Sequence, residues 1–164
     1  MASLKKIQTC LWFDTQAEEA AKFYVSVFPN SELGAVSHYG KEGFEIHKRP
    51  AGSVMTVEFK LQGHPFVALN GGPQFKFDEA ISFQVMCDTQ QDVDYFSSKL
   101  TDGGKQGPCG WVTDKFGLSW QVVPAQLQQM LLDRDEAKRE RVTKAFLQMK
   151  KFDIEALKRA FEGR

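Results

Sequence analysis

The chain has 164 residues, with 21 Lys or Arg balanced by 21 Asp or Glu, so its formal net charge is zero. That length suffices for one domain with a real core, and the balanced charge gives no reason to expect a nucleic-acid or anionic-membrane partner. No apolar stretch is long enough to span a bilayer and residues 1–9 hold no hydrophobic signal core, so no membrane partner and a cytoplasmic location are expected.

In chain order, Ile7 to Phe13 reads as a first strand. Ala17 to Phe28 is an amphipathic helix, with Ala20, Phe23, Tyr24, Val27 and Phe28 near helical spacing, ended by Pro29 and Asn30. Strands are expected over 33–39, 54–61 and 66–69, punctuated by Gly40, Gly43, Pro50, Gly52 and Gly63. Asn70-Gly71-Gly72-Pro73 closes this unit, and 74–79 reads as a linker. Then the order returns. Ile81 to Cys87 is a strand, and Gln90 to Leu100 is a helix stopped by Gly103-Gly104. Strands follow over 110–113 and 118–123, joined by the hairpin turn Asp114-Lys115-Phe116-Gly117, with a further strand near Lys105. After Pro124 the pattern is helical, over 126–132 and 136–150, the latter with Val142, Ala145, Phe146 and Met149 on one face. Asp153 caps a last helix carrying Ile154, Leu157 and Phe161, and Gly163 follows it. These terminal helices read as cover for a sheet or a subunit interface. The basic run 138–141, broken by Glu140, reads as a solvated helix face.

The sequence repeats itself. Ile7 to Gln16 is IQTCLWFDTQ and Ile81 to Gln90 is ISFQVMCDTQ, each an apolar run closing on Asp-Thr-Gln and leading into a helix. Strand, turn and helix recurring in one order indicate a duplicated unit of strand, helix and small antiparallel meander. The expected class is α+β, in a single domain over 1–164: module one at 5–73, module two at 80–124 and helices at 125–164. Two such units commonly pack about a pseudo-twofold axis, and the space between them suits a ligand.

Five stretches, FYVSVFPNS (Phe23 to Ser31), VALNGGPQFKF (Val67 to Phe77), AISFQV (Ala80 to Val85), CGWVTDKFGLSWQVVP (Cys109 to Pro124) and the tail VTKAFLQMKKFDIEAL, carry a resemblance. The chain resembles the vicinal oxygen chelate superfamily of glyoxalase I, extradiol dioxygenases and the fosfomycin and bleomycin resistance proteins. Within it, the chain is most similar to the PhnB-like branch that carries a 3-demethylubiquinone-9 3-methyltransferase domain label. The resemblance implies paired βαβββ modules forming a curved cup, and a homodimer.

In the superfamily's metal enzymes, the first and last strand of each module send His, Gln or Glu into the cup to hold a divalent ion, a Lewis acid for substrate oxygens. By this resemblance the four positions here are Gln8, Val67 or Ala68, Ser82 and Gln121. Two amides, a hydroxyl and an alkyl group are a poor donor set, so no metal and no other cofactor is expected. His38, His47 and His64 are scattered and read as surface residues. The glycines at 71–72 are the one candidate for the S-adenosylmethionine loop that the methyltransferase label requires. They lead into Pro73-Gln74-Phe75 rather than a helix and read as a turn between modules.

Side chains alternate along strands. With Gln8 facing the cup, Cys10 and Trp12 face it too, while Ile7, Leu11 and Phe13 face the helix layer. With Ser82 facing in, so do Gln84 and Met86, and with Gln121 facing in, so does Ser119, while Trp120 packs behind. The expected ligand-binding set is therefore Gln8, Cys10, Trp12, Ser82, Gln84, Met86, Ser119 and Gln121, suited to a small neutral or aromatic molecule. Three cysteines without paired spacing exclude a disulfide framework or zinc knuckle and fit a reducing compartment. Cys109, in the tight Gly107-Pro108-Cys109-Gly110-Trp111 segment, reads as structural, because no cation is placed beside it by the sequence. Three functions follow. They are metal-free small-molecule binding, a metal-dependent isomerase, lyase or dioxygenase reaction drawing on Glu45, Glu58 or a histidine, and methyl transfer.

Overall fold

The duplicated run becomes two sheets built in the same way. The computed structural model describes residues 2–164. The first sheet uses β1 (Thr9–Phe13), β2 (Ser31–His38), β3 (Val54–Leu61) and β4 (His64–Asn70), with helices α1 (Ala17–Val27) and α2 (Phe44–His47) between strands. The second uses β5 (Phe83–Cys87), β6 (Lys105–Gln106), β7 (Trp111–Thr113) and β8 (Ser119–Pro124), with helix α3 (Gln90–Thr101) after β5. Helices α4 (Ala125–Leu131), α5 (Glu136–Phe146) and α6 (Ile154–Glu162) follow. The strand orders are β1-β4-β3-β2 and β5-β8-β7-β6, and in each the first strand runs parallel to its neighbour while the rest are antiparallel. The α+β class and both βαβββ modules are as the sequence implied. Two compact units result, one ending at Lys76 and the other spanning Phe77–Arg164.

In the first unit, alternation along β1 buries Leu11 and Phe13. Helix α1 presents Ala17, Ala20, Ala21, Tyr24 and Val27 to the sheet. The three alanines let the helix backbone approach closely, and Tyr24 stacks on Phe59, which stacks on Phe66 (ring centroids 6.0 and 5.0 Å apart). Each such large apolar side chain contributes about 1.5–3 kcal/mol on burial. Ile7 departs from expectation. The strand begins at Thr9, and Ile7 is 81% exposed rather than facing the helix layer.

The two helices that follow the repeated strands start differently. At α1 the N-cap residue Gln16 makes no side-chain cap. Asn70, at the end of β4, supplies it from across the unit. Its Oδ1 accepts the Ala17 N–H at 2.8 Å and its Nδ2 donates to the Val54 carbonyl at 3.0 Å. At α3 the cap is local, with Thr89 Oγ1 accepting from Asp92 N–H and Asp92 Oδ2 accepting from Thr89 N–H, both at 3.1 Å.

In the second unit, α3 buries Val93, Ser97 and Leu100, and the sheet answers with Val112, Trp120 and Val122. The Asp114 to Gly117 turn is held by a buried carboxylate. Asp114 Oδ1 accepts from the Phe116 and Leu118 amides at 2.9 and 3.1 Å, and Oδ2 accepts the Trp120 indole N–H at 2.8 Å. Helix α6 is capped by Asp153, whose Oδ1 accepts from Ala156 N–H, and ends at Gly163. Arg141 of α5 clasps the end of α6 by donating to the Ala160 and Phe161 carbonyls at 3.0 and 2.8 Å.

Asn70→Ala removes the cap from the buried Ala17 N–H and the bond to the part-buried Val54 carbonyl, so a loss of about 1–3 kcal/mol is expected in urea unfolding. A change below about 0.5 kcal/mol would mean that water replaces the amide without cost.

Candidate functional site

The face of the second sheet turned away from α3 is partly covered by other elements. On β5 and β8, Gln84 lies beside Gln121 and Met86 beside Val123, and Trp111 of β7 pairs with Gln121. Directly opposed residues point to one side, so these five side chains share a face. Across it lie Leu127, Gln128 and Leu131 of α4, Phe146 at the end of α5, Phe152 beyond it, and Cys109. They line a half-open cleft of about 300 Å³ with no charged residue in its lining. This is the lower end of small-molecule sites and fits a molecule of one to three rings.

Backbone approach fixes the roof. The Cys109 N–H donates to the Met149 carbonyl at 2.8 Å and the Gly110 N–H to the Lys150 carbonyl at 2.7 Å. Gly110 has φ +76, and a Cβ there would meet the Phe152 ring at 2.5 Å and the Val122 carbonyl oxygen at 2.6 Å. Only glycine allows the 149–152 segment to cross so near. Cys109, at φ 51, directs its thiol at the Phe146 carbonyl, 3.7 Å away.

Gln84, Gln121 and Gln128 are the amides of the lining, and the first two are linked. Gln121 Nε2 donates to Ser82 Oγ at 2.8 Å, and Gln84 Nε2 donates to Gln121 Oε1 at 3.4 Å. Ser82, Gln84 and Gln121 are thereby brought together. Met86 lines the cleft, while Ser119 is 1% exposed and is not part of the lining. The same alternation that placed Gln121 reaches Val123, and antiparallel pairing reaches Trp111. Neither was placed in the site from the sequence, and Leu127, Gln128, Leu131, Phe146 and Phe152 had no signal there, since their docking is tertiary.

Gln8, Cys10 and Trp12 belong to the other unit. Cys10 pairs with Val67, which pairs with Glu58, so Val67 rather than Ala68 shares the Cys10 face. Ala68 is wholly buried with Leu11 and Val57 on the helix side. Trp12 closes a loop. Its indole N–H donates to the Gly72 carbonyl at 2.8 Å, its ring meets Phe75 edge-on at 4.9 Å, and a Cβ on Gly71 would sit 2.3 Å from that ring. The thiols differ. Burial raises the Cys10 pKa. Cys87, 1% exposed, is pushed up to about 12 by burial and then by Asp92 and Asp88.

Of the positions that the resemblance aligned with the superfamily's metal ligands, Gln8, Val67 or Ala68, Ser82 and Gln121, two bond to each other. This donor set does not fit a divalent ion. Among the described residues no group of three or more His, Cys, Asp or Glu could hold one. Glu58 lies on the Cys10 face, while His64 is engaged with Thr9 Oγ1 at 3.0 Å and His47 Nδ1 accepts from Arg49 N–H at 3.0 Å.

Known proteins share this architecture. The family model for 3-demethylubiquinone-9 3-methyltransferase matches residues 5–123, and the chain belongs to that family. A PhnB protein from Bacillus cereus is 33% identical with a TM-score of 0.63, the comparison covering 74% of this chain and 100% of that one. A Pseudomonas aeruginosa protein is 20% identical with a TM-score of 0.57, covering 74% and 98%. The fosfomycin resistance protein FosX from Listeria monocytogenes is 17% identical with a TM-score of 0.50, covering 79% and 98%. The fold is thus that of the glyoxalase/bleomycin resistance superfamily. No curated protein matches. The family match ends at residue 123, so α4 to α6, and with them the roof of the cleft, lie beyond it. The methyl donor that the family's description implies does not fit the Gly71-Gly72 loop. The Trp12 ring occupies the space beside it, and both amides are directed to the Phe13 carbonyl.

Gly110→Ala combines a left-handed strain with a backbone clash, so a loss of about 2–5 kcal/mol is expected in denaturant unfolding. Unchanged stability would show that the 149–152 crossing is not tight. Cys87 makes stability depend on alkaline pH. Its folded pKa lies above the ordinary value of 9.0, so the unfolded chain loses the proton first. Stability should fall as pH rises above about 9, and Cys87→Ala should flatten that slope. Equal slopes for the two proteins would contradict the burial of this thiol.

Proposed function

We propose that the chain binds a small uncharged molecule, largely apolar or aromatic, in the cleft between the second sheet and the C-terminal helices, without a metal ion at the superfamily's four positions. The observation that carries this reading is the cleft itself. It is about 300 Å³, lined by Met86, Trp111, Val123, Leu127, Phe146 and Phe152, with two glutamines as its linked polar groups. Burying roughly 200 Å² of apolar ligand surface there yields about 5 kcal/mol before the entropic costs of association. Dissociation constants from about 1 µM to about 1 mM correspond to that scale with added ring contacts. Aromatic walls and the absence of charge favour a neutral ring over an ionised metabolite, because a buried unpaired charge is costly. Methyl transfer, which the family's description carries, lacks support from the Gly71-Gly72 loop, where Trp12 stands in the cradle.

The test is titration with N-phenyl-1-naphthylamine, a neutral probe that brightens in apolar surroundings. Saturable binding at one site per chain is expected. Trp111→Ala should weaken it about tenfold, equivalent to about 1.4 kcal/mol. Ile46→Ser, at an 88% exposed position of α2, should leave it unchanged. Non-saturating brightening, or the same affinity in Trp111→Ala, would contradict the reading.

A further inference from the structure

Resting on the cleft as the binding site, the polar relay inside it narrows the ligand further. We propose that Gln84 makes the cleft selective for uncharged aromatic molecules bearing a hydroxyl or N–H donor, and that the cleft rejects carboxylates and phosphates.

The relay has a direction. Ser82 Oγ takes one N–H of Gln121 at 2.8 Å, a short bond that sets which end of the Gln121 amide faces Gln84. Gln121 Oε1 therefore points towards Gln84, and Gln84 answers with its Nε2 at 3.4 Å. The Gln84 amide is thus turned so that its nitrogen serves the protein. Its Oε1 accepts no hydrogen bond among the described residues, and the second lone pair of Gln121 Oε1 is also unused. A side-chain amide has two donors and two acceptor sites. After the two internal bonds, the pair keeps three acceptor sites against two N–H groups, and the oxygen of the exposed member is wholly unengaged. The 3.4 Å contact is long for a hydrogen bond, so Gln84 is the member that can adjust to a ligand, while Gln121 is fixed by the shorter one.

Its neighbours set the rest of the selectivity. Met86 and Val123 lie two residues further along the same strands, and Trp111 is opposite Gln121, so a ring resting on them brings its edge to the amides. The Cys109 thiol is directed at the Phe146 carbonyl and offers no strong donor. No Lys, Arg or His lines the cleft to offset an anion. A ligand donor satisfies an acceptor that otherwise needs water. A ligand that covers the Gln84 oxygen without offering a donor displaces its water and gives nothing in return, which is the asymmetry that gives polar sites their discrimination.

Displacement of N-phenyl-1-naphthylamine by three ring-matched compounds at pH 7 tests this. They are 2-naphthol, 2-methoxynaphthalene and 2-naphthoate. The hydroxyl compound should displace the probe about tenfold more tightly than the methyl ether, and the carboxylate should be weaker than either, by about tenfold or more. Gln84→Leu should close the gap between naphthol and its ether, a change that loss of packing alone would not produce. Equal displacement by naphthol and ether in the unaltered protein, or a gap that survives in Gln84→Leu, would overturn the selectivity while leaving the binding reading intact. Tight naphthoate binding would overturn the exclusion of anions. If the probe itself fails to bind saturably, the binding reading fails first, and the two failures are distinguished.

Discussion

The close crossing of the Met149–Phe152 segment over the Cys109-Gly110 backbone is the constraint on which the site depends. Two backbone hydrogen bonds of 2.8 and 2.7 Å hold it, and the missing side chain at Gly110 makes room for Phe152 and the Val122 carbonyl. Without that crossing, Phe146 and Phe152 have no fixed place, and the open face of the second sheet has no roof. The block from Cys109 to Trp120 therefore divides its work. Gly110 accepts the C-terminal segment, Trp111 lines the cleft, and Asp114 ties the hairpin to the Trp120 indole behind the sheet.

Duplication supplies the frame, and small departures from it decide what each copy does. Asn70 and Pro124 hold equivalent positions, opposite Phe13 and Cys87. In the first copy the asparagine reaches back to cap α1, and the chain turns away through a loop packed on Trp12. In the second copy proline cannot act as such a cap, the start of α3 is satisfied by its own Thr89 and Asp92, and the chain passes directly into α4. That continuation brings helices over the second sheet. The cleft thus follows from where the copies diverge, in a stretch that begins just after the family match ends.

Much of the fold was legible because both periodicities were strong. Leu11 and Phe13 alternate as a buried strand face, and α1 shows its alanine and aromatic stripe at helical spacing. Ends were less legible. Ile7 looked like a continuation of β1 but falls before its first ladder pair, Thr9 with Phe66. Helix α2 has four residues, too short for a period, and α5 stops at Phe146 because 147–152 is drawn towards Cys109 and Gly110. The choice between Val67 and Ala68 rested on strand register, which is set by pairing with Cys10 and Leu11 and has no local signature. Gln84, Met86 and Gln121 were reachable by alternation. Leu127, Phe146 and Phe152 were not, since a helix stripe in sequence does not say which surface it meets.

If the second unit alone furnishes the binding cleft, the protein's methionines report on this directly. Met86 lies in the cleft lining, whereas Met55 sits in β3 of the other unit. The measurement is a two-dimensional carbon–proton spectrum of protein labelled at the methionine methyls, recorded with and without a neutral naphthalene. A saturable ring-current shift of the Met86 methyl and none at Met55 is expected. A shift at Met55 with Met86 unmoved would contradict it and would move the site to the first sheet.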